Sequence, residues 1–252
     1  MTRIKIVGLC LIAVFAMTAV AAASASAAGP EYFECAKVKG GKLEKGCGKE
    51  GGKGGYIRRA PTKLPSKFTG KNGVSILTVF VPGVGIVGDT ECQKATGKGA
   101  IISATQAEDT VVFEKCESSG KKCTSVQAKE KKGDITTNTL LSTLVATGEA
   151  KSGVGVTVAA KSGGNSAEFN CEGLKVSTMG AVTGEDTGNV ELVSKTAENI
   201  FSVNEGGEPT IATEGSRFTL LSTITKGEET NTVPSGESTT ATNKGAALGV
   251  SL

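Results

Sequence analysis

From residue 74 to its end the chain repeats one hydropathy pattern, a short run of apolar and β-branched residues followed by a break at Gly, Thr, Ser or Asn. The runs fall at 74–81, 101–105, 110–116, 140–146, 154–160, 167–171, 174–179, 190–193, 200–203 and 218–224. Runs of this length, bounded by turn formers, predict many short antiparallel strands and hence an all-β sandwich or barrel over 74–252. Past the N-terminus no window carries a 3.6-residue apolar stripe. The breaks are too short and glycine-rich to hold crossover helices, which disfavours a parallel α/β sheet. Residues 226–244, rich in Thr, Ser, Gly and Glu around Pro234, read as loop or edge rather than core.

The front of the chain breaks this pattern twice. Residues 1–28 begin with Arg3 and Lys5, continue through an apolar run at 6–20 and end in Ala and Ser, the layout of a signal-peptide helix cleaved near Ala27 or Ala28. The run is shorter than the roughly twenty residues a spanning helix needs. Cys10 follows Leu9 inside that run, a poor setting for lipid attachment. The expectation is an exported protein, secreted or held at the cell envelope, with no transmembrane segment after signal cleavage. Residues 29–73 then hold eleven Gly and repeated Lys-Gly pairs, a density that costs too much backbone entropy for a helix. They are expected to form an irregular Gly/Lys-rich arm, so the predicted organisation is signal peptide 1–28, basic arm 29–73 and β-domain 74–252.

Charge sharpens this division. The chain carries +3 overall, yet 29–73 holds eleven Lys or Arg against four Glu, while 74–252 holds fifteen basic against twenty-one acidic residues. A basic arm on an acidic body suggests an anionic partner such as teichoic acid, acidic polysaccharide or lipid headgroups, met through Lys37, Lys39, Lys42, Lys45, Lys49, Lys53, Arg58 and Arg59. The competing reading, that the arm docks on its own acidic body, stays open.

Beyond Cys10 six cysteines remain: Cys35, Cys47, Cys92, Cys116, Cys123 and Cys171. An even number in an exported chain predicts disulfides. The sequence-local scheme joins Cys35 to Cys47, Cys116 to Cys123, and Cys92 to Cys171.

The chain contains no His, which excludes Ser/His/Asp and Cys/His nucleophilic machinery, His-ligated zinc and an imidazole pH switch. Gly83-Val84-Gly85-Ile86-Val87-Gly88 fits a dinucleotide fingerprint in letters, but no helix can follow it, so it reads as a glycine-rich β-turn. Ser118-Ser119-Gly120-Lys121 lies in a turn rather than on a helix and matches S-x-x-K by chance. Carboxylate pairs such as Glu114/Glu117 and Glu185/Asp186 could serve glycoside hydrolysis, yet the chain has no Trp and its two Tyr, Tyr32 and Tyr56, both lie in the arm. Aromatics for base stacking are equally scarce, so no specific nucleic-acid binding is expected. No cofactor and no metal is expected.

Four segments, Pro30 to Lys42, Cys116-Glu117-Ser118, Ala167 to Gly173 and Ala241-Thr242-Asn243-Lys244-Gly245, resemble a family of exported, β-rich actinobacterial proteins to which no activity is attached. The resemblance spans nearly all of the chain after the signal, implies export and a shared β-rich fold, and brings no catalytic or ligand-binding residue. The function expected is that of a non-enzymatic envelope or extracellular binding or structural protein. The alternatives are a secreted carboxylate-based hydrolase and a disulfide-rich protease inhibitor.

Overall fold

The computed structural model describes residues 29–51, 54–126, 131–148, 153–206, 210–211 and 220–251. The expected signal peptide at 1–28 and Lys53 lie outside the described residues. In chain order the strands are β1 Glu31–Lys37, β2 Tyr56–Arg59, β3 Ser66–Asn72, β4 Ser75–Val81, β5 Gly85–Ile101, β6 Gln106–Ser118, β7 Lys121–Ser125, β8 Ile135–Thr136, β9 Leu140–Thr147, β10 Gly153–Ala160, β11 Asn165–Cys171, β12 Leu174–Met179, β13 Ala181–Thr187, β14 Ser194–Phe201, β15 Leu220–Lys226 and β16 Glu229–Ser251. Every strand-to-strand pairing is antiparallel. The all-β expectation holds, and no helix occurs among the described residues.

The pairings close on themselves twice. One ring runs β3–β5–β6–β9–β10–β13–β14–β16 and returns to β3. A second runs β4–β5–β6–β7–β11–β12–β15–β16 and returns to β4. Each ring is a barrel of eight strands, and β5, β6 and β16 belong to both. Their lengths of 17, 13 and 23 residues follow from that sharing, since each must traverse one barrel and continue into the next. Closure satisfies the outer N–H and C=O groups that an open sheet would leave at its edges. Short β8 pairs with β6 and continues into the Thr137–Ala167 bridge, filling the gap between β6 and β11.

Two-residue turns join several neighbours. Glu172 (φ 50°) and Gly173 (φ 100°) link β11 to β12, and the Gly173 amide donates to the Asn170 side chain at 2.8 Å. Both central residues at positive φ give the turn whose twist matches its strands.

The cores use small residues. In the second barrel Phe169, Ile135, Ala167 and Val176 pack with Cys92, Cys116, Cys123 and Cys171, and Phe113 lies against them. Phe113 and Phe169, three residues before Cys116 and two before Cys171, are thus aromatics packed at the bridges. Hydroxyl pairs tie facing strands inside: Ser235 donates to Ser222 at 2.6 Å, and Ser75 lies 2.8 Å from Thr239. Leu144, Val154 and Val250, with Tyr32 and Val190, close the far end of the first barrel.

Four sequence expectations are corrected. The bridges are Cys35–Cys47, Cys92–Cys116 and Cys123–Cys171, so only the first local pair holds. Cys92 and Cys116 are register partners across β5 and β6, and Cys123 and Cys171 across β7 and β11; the ladder, not sequence proximity, chooses them. Residues 229–244 form most of β16 rather than a loop: 229–235 pair with β15, 235–238 with β4 and 239–244 with β14, with 241–244 also paired to β3. The run at 101–105 is the β5–β6 turn, closed by Ile102 N–H donating to the Gln106 carbonyl at 2.9 Å. Within 29–73, β1, β2 and β3 are strands, and β3 is a wall of the first barrel; the described residues between them, 38–51, 54–55 and 60–65, carry turns and isolated bridges.

Candidate functional site

The basic residues near the N-terminus divide into two groups. β1 and β2 pair as a hairpin, and the intervening segment folds back through bridges of Leu43 to Glu50 and Tyr56. Cys35–Cys47 ties this lobe internally, and Val193 N–H donating to the Gly46 carbonyl at 2.9 Å ties it to the first barrel. Arg58 is the main fastener. Its guanidinium donates to the Cys47 carbonyl at 3.1 Å and the Glu191 carbonyl at 2.8 Å, pairs with the Glu191 carboxylate, and lies 4.8 Å from the centre of the Phe33 ring. Arg59 pairs with Glu34 at 2.6 Å. Glu34 also accepts the Thr62 amide, which together with Arg59 holds its carboxyl below the usual range. Arg58 and Arg59 are therefore committed to internal contacts. Lys37, Lys39, Lys42, Lys45 and Lys49 are exposed on the same lobe. These five lysines lie exposed on one fastened lobe.

Sequence reading missed the inside of the first barrel. A cavity of about 160 Å³ lies there. Asp109 projects into it from β6, Asp186 from β13, Glu237 from β16 and Tyr32 from β1, with Asn189 on the loop after β13. Asp186 and Asn189 are each 5% exposed. Asp109, Glu237 and Tyr32, of intermediate exposure, also line the cavity. Burial pushes the Asp109 carboxyl up to about 6 and that of Asp186 up to about 7. Burial, reinforced by the charge of Asp109, pushes Glu237 up to about 7. The Tyr32 phenol is raised well above its ordinary value by burial first and then by Asp186 and Asp109. None of the three carboxyls forms an ion pair with a described residue. Asp109 Oδ1, Asp186 Oδ1 and Asn189 Oδ1 are buried without a hydrogen-bond partner among the described residues.

Glycine makes the room. Gly70 on β3, Gly97 on β5 and Gly245 on β16 line the cavity, while Phe68 on β3 lies across Gly99 and Gly245, its register partners on either side. The rim includes Ser194, Lys195 and Thr196, where the β14–β16 ladder shifts register. A second cavity of about 100 Å³ occupies the other barrel, and Phe113, Leu140, Val158, Val182 and Glu237 border both.

Of the polar cavity residues, only Asp186 stood out in the sequence, as half of the Glu185/Asp186 pair; Asp109, Asn189 and Glu237 belong to no motif, and the one further signal was Glu237, a lone acid among small residues. Among the described residues no group of three or more His, Cys, Asp or Glu side chains is arranged to hold a metal ion. The Gly83–Gly88 segment enters β5 as the β4–β5 hairpin, and Ser118 and Lys121 flank the β6–β7 turn; neither faces a cavity. No protein-family model, curated protein or solved structure matches the chain.

Proposed function

We propose that this is an exported, non-enzymatic binding or structural protein of the cell envelope or exterior, which contacts anionic polymer through the lysine-bearing lobe. The observation that carries the reading is the fastening of that lobe. Cys35–Cys47 and the Arg58 contacts hold the segment bearing Lys37, Lys39, Lys42, Lys45 and Lys49 against the barrel. Ordering these charges before binding lowers the entropy cost of meeting a polyanion, and attraction between exposed charges weakens as salt shortens the Debye length. Three disulfides accord with an oxidising compartment.

Charge removal tests this better than truncation, since deleting 29–73 would take β3 out of a barrel wall. The protein with all five lysines changed to Gln should sediment with actinobacterial cell envelopes at least tenfold less than wild type at 50 mM salt, with wild-type binding lost near 0.5 M. Equal sedimentation of the two forms would retire the proposal.

The runner-up is a carboxylate-based hydrolase, favoured by the raised carboxyls of Asp186 and Glu237 in one cavity. A cavity of about 160 Å³ admits only a small substrate. Turnover of small glycosides or esters, abolished in Asp186→Asn, would establish it.

A further inference from the structure

We propose that the cavity of the first barrel binds a small organic cation, a primary ammonium carrying a compact apolar group, between Asp186, Asp109 and Asn189. This goes beyond contact with a surface polymer and rests on different residues. Asp186 and Asn189 are each 5% exposed, line the cavity and leave Oδ1 unbonded to any described residue. Asp109 Oδ1, on β6 and separated from β13 by β9 and β10 in the ring, is a third buried acceptor at this cavity without a partner among the described residues. Folded proteins rarely leave such groups orphaned, because each costs about 1–3 kcal/mol when buried alone. All three are acceptors, and an ammonium offers three donors and one positive charge.

The remainder of the cavity suits an apolar body. Val111, Val156, Val182 and Leu248 supply its apolar surface, and a space of about 150 Å³ holds a ring the size of benzene. A metal ion fits less well, since no described cluster has its ligand count. The charged and titratable groups that reach the cavity are Tyr32 from β1, Asp109 from β6, Asp186 from β13 and Glu237 from β16, with Lys67 from β3 and Lys195 from β14 exposed at the rim. The balance inside is acidic.

The test is calorimetric titration of the mature, disulfide-intact protein at pH 8 and 0.15 M salt, using cyclohexylammonium chloride and the neutral isostere cyclohexanol. One-to-one binding of the ammonium at least tenfold tighter than the alcohol is expected. Asp186→Asn should weaken the ammonium tenfold or more and leave the alcohol unchanged. Gly97→Leu provides a control that removes no charge: the site is buried, an added Cβ meets only Val111, Gly70 and Thr110 atoms at 3.7 to 3.8 Å, and the longer side chain fills the cavity. It should abolish binding of both compounds. Equal binding of ammonium and alcohol, absence of binding, or binding that survives Gly97→Leu would overturn the proposal and leave a water-filled cavity.

Discussion

Phe68 shows how a chain so rich in glycine and poor in aromatics builds barrel walls. Its ring covers Gly99 and its Cβ lies against Gly245, and a Cβ at Gly99 would come within 2.6 Å of that ring and 2.4 Å of the Glu108 carbonyl. Phe33 covers its register partner Gly249, and Phe201 lies 2.8 Å from where a Cβ would sit on Gly184. In each case an aromatic on one strand supplies the apolar surface its glycine neighbour lacks. Gly99→Ala should destabilise the protein by about 1–3 kcal/mol, since the carbonyl it meets belongs to backbone held in a ladder. Urea denaturation gives the value, and an unchanged midpoint would contradict the packing. The buried carboxyls set a second expectation. Their folded-state values lie above the unfolded ones, so between about pH 4 and 7 the native state binds more protons and stability falls as pH rises. The melting temperature at pH 5 should exceed that at pH 8. Asp186→Asn, which removes a cost on the order of 4 kcal/mol at high pH, should narrow that difference by raising the pH 8 value.

At the scale of elements, the shared strands carry both barrels. Residues 241–244 of β16 pair with β14 on one side and β3 on the other, so their amides should rank among the slowest to exchange with deuterium. Those of 38–51, held by turns and isolated bridges, should exchange fast. Protection as low in 241–244 as in 38–51 would contradict the double pairing. Hydropathy revealed β4, β6, β9, β10, β11 and β12, whose apolar faces are long enough to register as alternation. It did not reveal β5 or β16. On β16 the inward residues Thr239, Ala241, Asn243 and Gly245 are small or polar because they border a cavity, so neither face carries an apolar signal. Strands that enclose space rather than fill it are thus the ones hydropathy overlooks. Disulfide choice was hidden for a related reason: partners are set by ladder register, which sequence distance does not encode.

The whole molecule is two barrels in series, with a basic lobe fastened to the first and most of the bridging sulfur in the second. The net positive charge of 29–73 was plain in the sequence, but its division into fastening arginines and free-facing lysines depends on Glu191 and Glu34 standing where the fold places them. The cavity carboxyls were invisible as a group because β6, β13 and β16 meet only after the ring closes. Stability should be distributed accordingly. Replacing Cys123 and Cys171 by Ala should cost about 4 kcal/mol, given a separation of 48 residues, and should loosen the second barrel first in hydrogen exchange. The most direct test of the two-barrel arrangement is tryptic mapping without reduction, at a pH low enough to suppress thiol exchange. Cleavage at Lys115, Lys121 and Lys122 separates Cys116 from Cys123. The fold predicts peptide 116–121 joined to the peptide holding Cys92, and peptide 123–129 joined to the one holding Cys171. Recovery of 116–121 joined to 123–129 would contradict the β5–β6 and β7–β11 registers on which closure of the second barrel depends.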